Sequence, residues 1–130
     1  MKILVCEDDL ITLKTLEYGL KKEGYEVLLA PDGKTGADLL KENVNEIGLM
    51  ITDQHMPYNS GLELVHLARN DLQMDLQIIM LTKVNIGNTR KLALSLGVNN
   101  YVTKPFHLKQ LLLMVKSVFM NPACKIQNKQ

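Results

Sequence analysis

At 130 residues and 14.7 kDa, with 46% hydrophobic and 22% charged residues, the chain has the size and composition of one globular domain with a single sizeable core. Fifteen Lys and Arg against fourteen Asp and Glu leave a net charge of +1, too balanced for a general electrostatic binder of nucleic acid. No apolar run approaches the roughly 18 residues of a membrane span, the opening Met1–Cys6 turns acidic at Glu7 before a signal-peptide core can form, and Cys6 and Cys124 fit no disulfide or metal spacing, so a cytoplasmic protein with reduced thiols is expected.

Short apolar runs alternate with helix-length amphipathic segments. The first run is Ile3–Cys6. After it, Leu13, Leu16 and Leu20 recur at helical spacing, and Gly24 supplies a stop. Val27–Ala30 is a second strand, and the turn Pro31-Asp32-Gly33 opens a helix carrying Ala37 and Leu40. Leu49–Ile51 is a third strand, followed by the loop Pro57–Gly61 and a helix lined by Leu62, Val65 and Ala68. Ile78–Leu81 is a fourth strand, and its helix runs from about Asn88 to Leu96 and ends at Gly97. Tyr101–Thr103 is a short, β-prone fifth strand, and Leu108, Leu111, Leu112, Val115 and Phe119 mark one face of a last helix.

Strands that are apolar throughout are buried on both faces. Five β-α units therefore predict an α/β, doubly wound parallel sheet with right-handed crossovers, a (βα)5 three-layer sandwich. A domain over residues 1–120 and a polar, frayed tail over 121–130, containing Pro122, are the expected boundaries.

In such a sheet ligands bind beyond the carboxyl ends of the strands, near the point where strand order reverses. The residues there are Glu7, Asp8 and Asp9 after the first strand, Asp53-Gln54-His55-Met56-Pro57 after the third, Thr82 after the fourth, and Lys104-Pro105 after the fifth. The flavodoxin-like order 2-1-3-4-5 places the first strand beside the third, so the acidic triplet faces Asp53. Three or four carboxylates in one crevice repel, and the arrangement calls for a cation or a proton. Mg²⁺ suits it, because it takes one or two carboxylates, keeps several waters and binds phosphate oxygens. Lys104 adds a mobile positive charge and Thr82 a hydroxyl. The set reads as a site for a phosphoryl group on an aspartate, with Asp53 as nucleophile.

Four segments, Leu4-Val5-Cys6-Glu7-Asp8-Asp9, Asp53-Gln54-His55-Met56-Pro57 with Gly61, Met80-Leu81-Thr82 and Tyr101-Val102-Thr103-Lys104-Pro105-Phe106, together resemble the receiver domain of two-component response regulators, over about residues 2 to 120. The resemblance implies that Asp53 accepts a phosphoryl group from a histidine kinase or a histidine phosphotransfer protein. It implies Mg²⁺ held by Asp8, Asp53 and the backbone carbonyl of His55, with Glu7 acting through water. Lys104, with a cis bond to Pro105, would pair with a phosphoryl oxygen, Thr82 would swing in to it, and Tyr101 would turn from outward to inward. A half-buried strand aromatic is the competing reading of Tyr101. Output would pass through the fourth helix, fifth strand and fifth helix to a downstream protein, with the chain a monomer or a phosphorylation-dependent dimer. Such a protein is a phosphoacceptor signalling domain rather than an enzyme, apparently a single-domain member, with no direct nucleic-acid or membrane binding.

Departures from the family pattern lie at Lys83, where a small residue is usual, and at Ser60, where an acid is common. Lys83, Val84 and His55 occupy positions expected to modulate phosphoryl turnover. Lys83 keeps a second reading in play, a pseudo-receiver that binds partners independently of phosphorylation. A haloacid dehalogenase-type enzyme also uses an aspartate after a strand with Mg²⁺, but it wants a second aspartate where His55 stands.

Overall fold

The protein is described by a computed structural model at residues 1–83 and 87–120. Along the chain run β1 (Lys2–Cys6), α1 (Leu10–Lys22), β2 (Val27–Ala30), α2 (Gly33–Glu42), β3 (Ile47–Asp53), α3 (Gly61–His66), β4 (Gln77–Thr82), α4 (Gly87–Ser95), β5 (Asn100–Thr103) and α5 (Leu108–Met120). The strands form one parallel sheet in the order β2-β1-β3-β4-β5, the predicted topology. The expected tail over 121–130 and Val84 lie outside the described residues.

Alternation along each strand splits the core in two. Ile3, Val5, Leu49, Ile51, Ile79 and Leu81 face Leu13, Leu16 and Leu20 of α1 and Leu111 and Val115 of α5. Leu4, Cys6, Met50, Ile78 and Met80 face Ala37 and Leu40 of α2, Leu64 and Val65 of α3, and Ala93 of α4. A sheet covered on both faces requires strands that are apolar at every position, and this is why the apolar runs located them. The true strands extend past those runs into residues that do not read as β: β3 starts at Ile47 and continues through Gly48, and β4 starts at the buried Gln77.

Short polar side chains set the helix starts. Asp9 caps α1 by accepting from the Thr12 amide, and Asp32 caps α2 through the Thr35 amide at 2.7 Å. Ser60, read from sequence only as a departure, forms a capping box with Glu63: its hydroxyl accepts from the Glu63 amide at 3.2 Å and its own amide donates to Glu63 Oε1 at 2.8 Å. The third helix differs most from its predicted form. After six α-helical residues it widens into a π turn over Leu67–Asp71, closed by the Leu72 amide on the Leu67 carbonyl at 2.9 Å. Leu64, which the predicted stripe omitted, is fully buried with Val65 and Ala68.

That turn delivers Arg69 to the amino-terminal edge of the sheet. Its guanidinium donates to the Gly97 carbonyl at 2.8 and 3.2 Å, to the Met74 carbonyl at 3.0 Å and to Asn99 Oδ1 at 3.0 Å. Asn99 Oδ1 also accepts from the Ile78 amide at 2.8 Å. One side chain thus ties the π turn, the α4–β5 connection and β4 together. Arg69→Ala strands these half-buried acceptors and is expected to cost about 2–3 kcal/mol. Urea denaturation measures this, and Arg69→Lys should recover only a small part, because an ammonium lacks the planar fork.

Candidate functional site

The chain register builds the site before any side chain is placed. Cys6 pairs with Thr52, so Glu7 and Asp53, one residue further on, stand side by side at the carboxyl ends of β1 and β3. Thr82 pairs with Thr103, and the Lys104 amide donates to the Thr82 carbonyl at 2.6 Å, which sets Lys104 at the end of β5. The Lys104–Pro105 peptide bond is cis. From β5 the Lys104 ammonium reaches past β4 to donate to Glu7 Oε2 at 2.6 Å and to Asp53 Oδ2 at 3.3 Å.

These groups are largely withdrawn from water, with Glu7 1% and Asp53 6% exposed. The pair is not symmetric. Burial pushes the Glu7 carboxyl above the usual carboxylate range, against the hydrogen bonds from Lys104 and from the Asp9 amide at 3.1 Å. Burial alone would lower the Lys104 ammonium, but the hydrogen bond to Glu7 and the attraction of Asp53 outweigh it and hold it above its ordinary value. Lys104 is therefore charged in the neutral range and fixed at the centre of the cluster.

The acidic triplet divides by role. Asp9 is the α1 cap, and its hydrogen bonds with Thr12 hold its carboxyl below the usual range. One carboxylate oxygen from each of Glu7, Asp8 and Asp53 lies within 4.8 Å of the others. Lys104 holds Glu7 closely at 2.6 Å and Asp53 more loosely at 3.3 Å, so the exposed Asp8 and the more loosely held Asp53 are the pair most available to a cation. Two carboxylates beside open, solvated space is the donor set that Mg²⁺ accepts while keeping its waters.

A cleft of about 290 Å³ lies over this cluster, lined by Glu7, Asp8, Asp9, Thr12, Asp53, His55, Lys83 and Lys104. The structure thus brings together every predicted site residue except three. Thr82 ends β4 immediately beside the cleft and is 1% exposed. Tyr101 is 9% exposed, packed in the α2–α3–α4 core with the Arg90 guanidinium 5.8 Å from its ring centroid, so it is turned inward and buried rather than half-buried. Val84 is outside the described residues.

Sequence reading missed what holds Asp53 in place. The Gln54 amide donates to Asp53 Oδ1 at 2.7 Å, the Gln54 carbonyl accepts from the Gly61 amide at 2.9 Å, and Gln54 Oε1 accepts from the Leu62 amide at 2.8 Å. The β3–α3 loop is thereby folded back on the strand end. Gly61 permits this closure, since a Cβ there would run into the Asp53 carbonyl oxygen. Gly33 plays the same part from α2, where a Cβ would collide with the Asn59 backbone. Both glycines carried a sequence signal, Gly33 in the Pro31-Asp32-Gly33 turn and Gly61 after the Pro57 loop; the Gln54 bonds depend on the loop path.

The sequence matches the family described as the response regulator receiver domain over residues 3–116, and the chain belongs to that family. Among solved structures it is similar to the receiver domain of a Francisella response regulator, at 26% identity and a TM-score of 0.84, covering 93% of this chain and 98% of that one. A response regulator receiver domain protein from Clostridium thermocellum is 28% identical with a TM-score of 0.84, covering 94% and 96% of the two chains. A CheY-like receiver domain protein from Methanospirillum hungatei is 28% identical with a TM-score of 0.79, covering 98% and 96%. The protein is accordingly a signalling domain of the two-component type, with an acidic cleft at its switch point. Among the described residues no helix is long and apolar enough to cross a membrane.

Beneath Glu7, the Cys6 thiol is fully buried, and burial pushes it up to about 12 from an ordinary 9.0. Unfolding in alkaline solution therefore releases a proton that the folded chain retains, so stability should fall as the pH rises from about 9 toward 12. Urea titrations over that window should show a steeper loss for the wild type than for Cys6→Ala, whose slope lacks this contribution.

Proposed function

We propose that Asp53 accepts a phosphoryl group from the phosphohistidine of a histidine kinase or a histidine phosphotransfer protein, in a Mg²⁺-dependent reaction. The observation that carries this reading is the position of Lys104, whose ammonium touches Asp53 at 3.3 Å while anchored on Glu7 at 2.6 Å. In the transfer, an oxygen of the Asp53 carboxylate forms a bond to phosphorus. The nitrogen–phosphorus bond breaks, and its electron pair returns to the donor imidazole. Lys104 shifts from the Asp53 carboxylate to a phosphoryl oxygen without leaving Glu7. Asp8, Asp53 and the backbone carbonyl of His55 would hold Mg²⁺, with Glu7 acting through water, and the ion would supply neutralisation of the charge that accumulates on the phosphoryl oxygens. The Gln54 amide and the folded-back loop keep the Asp53 carboxylate oriented, so the protein contributes positioning and electrostatics rather than a general base.

Thr82 is the moving part of the switch, its hydroxyl turning to the phosphoryl group. Tyr101, expected to turn from outward to inward, is already inward against α4 before any phosphorylation and needs no such turn. Signal output passes through the α4–β5–α5 face to a downstream protein, without direct contact with nucleic acid or membrane. The active unit is a cytoplasmic receiver over residues 1–120, a monomer or a phosphorylation-dependent dimer, and turnover is modulated by Lys83, Val84 and His55. A second reading, a pseudo-receiver that binds partners without phosphorylation, is favoured by one observation, the presence of Lys83 in the cleft lining.

Incubation with a small-molecule phosphodonor and Mg²⁺ separates the two. The intact mass should rise by one phosphoryl group, and this gain should vanish in Asp53→Asn or when Mg²⁺ is chelated. Lys104→Gln should slow uptake by about a hundredfold, the usual cost of removing one charged contact from a developing oxyanion. A folded protein that takes up no phosphoryl group from either a small donor or a phosphorylated kinase domain would support the pseudo-receiver instead.

A further inference from the structure

Lys83 is exposed and lines the cleft together with Asp8, Asp9, Asp53 and His55. The other cation of the cleft, Lys104, is spoken for by Glu7 and Asp53. Among the described residues Lys83 forms no ion pair within 4.0 Å, although its charge is felt at Asp9, where it helps to lower the carboxyl. It is a solvated ammonium on a flexible stem at the rim of an anionic cleft, attached directly to the end of β4 at Thr82. Such a group needs no fixed partner to act, because its field reaches every charge that enters.

Resting on the proposed phosphoacceptor role of Asp53, we propose that Lys83 is a tethered counter-cation that weakens Mg²⁺ binding and strengthens capture of the anionic phosphodonor. Lys104 is shared between Glu7 and Asp53, so the remaining negative charge of the cleft, on Asp8 and Asp9, has Lys83 as the second cation of the lining, with its effect registered at Asp9. A divalent cation entering the cleft is repelled by Lys83, while a phosphoryl dianion is attracted. The site thereby exchanges affinity for its metal against affinity for its donor. A merely steric role for Lys83, crowding the mouth of the cleft, has a different signature: trimming the side chain would then speed donor uptake.

The test is a comparison of Lys83→Met, which keeps the length and removes the charge, with Lys83→Ala and Lys83→Arg. Mg²⁺ binding to the unphosphorylated protein is measured by isothermal titration calorimetry, with Asp8→Asn as the control for site-specific binding. At low salt, Lys83→Met and Lys83→Ala should bind Mg²⁺ about three- to tenfold more tightly than wild type, Lys83→Arg should match wild type, and the difference should shrink as salt is raised. At saturating Mg²⁺, uptake from an anionic small-molecule phosphodonor should be about two- to fivefold slower in Lys83→Met and Lys83→Ala. Wild-type Mg²⁺ affinity in Lys83→Met overturns the proposal, and so does faster uptake in the neutral variants. If no variant, and not the wild type, binds Mg²⁺ in an Asp8-dependent way, the metal reading of the site falls and this proposal falls with it.

Discussion

The buried contact between Lys104 and Glu7 is the interaction on which the carboxyl edge of the sheet depends. Three strands end in acidic or cationic side chains within a few ångströms, and parallel register leaves them no freedom to separate: the pairing of Cys6 with Thr52 fixes Glu7 beside Asp53. A carboxylate as deeply buried as Glu7 is costly unless it is paired. Lys104 supplies the pairing from the far side of β4, and in doing so it brings an ammonium within 3.3 Å of Asp53. The same contact therefore satisfies a folding requirement and leaves a cation at the carboxylate where chemistry is proposed. It also separates the acids, since Lys104 grips Glu7 at 2.6 Å but Asp53 only at 3.3 Å, which leaves Asp8 and the more loosely held Asp53 as the carboxylates a metal could use.

The rest of the edge is arranged around that contact by backbone geometry. Asp9, although adjacent to the cleft in sequence and space, is spent on starting α1. The β3–α3 loop is stitched down by Gln54 and admitted by Gly61 and Gly33, so Asp53 sits at the end of a strand on a rigid floor rather than on a free loop. Far from the cleft, Arg69 and Asn99 hold the opposite edge of β4 and β5. The strand whose end carries Thr82 is thus anchored at its start. Tyr101, beside it on β5, lies under Arg90 of α4, and the described part of the proposed output face is already in contact with the core.

Much of this was legible in the sequence because the relevant signals are short-range. Strands buried on both faces announce themselves as continuous apolar runs, and the polar residue that ends each run stands at the carboxyl edge of the sheet; Glu7, Asp53, Thr82 and Lys104 are placed on that edge in this way. Local signals failed where the structure depends on the path of the chain. The third helix widens to a π turn that no residue type encodes, and Leu64 was missed because the stripe was drawn through Leu62, Val65 and Ala68, whereas the buried face runs through Leu64, Val65 and Ala68. Gln54 and Arg69 look like ordinary surface residues until the loop and the turn bring backbone acceptors to them. Ser60 departs from an expected acid, yet its hydroxyl serves as a helix cap, a function that the pattern Ser-x-x-Glu carries but that a motif comparison passes over.

The most direct test of this account is a double-mutant cycle on Glu7 and Lys104, measured by urea unfolding. Lys104→Met alone should destabilise the fold by about 3–5 kcal/mol, because it leaves Glu7 buried and unpaired. Adding Glu7→Gln should restore most of that loss, giving a coupling energy well above the ~0.5 kcal/mol expected of independent sites. Additive losses would contradict the account, showing that Glu7 does not rely on Lys104 and that the ammonium beside Asp53 is not held there by the fold.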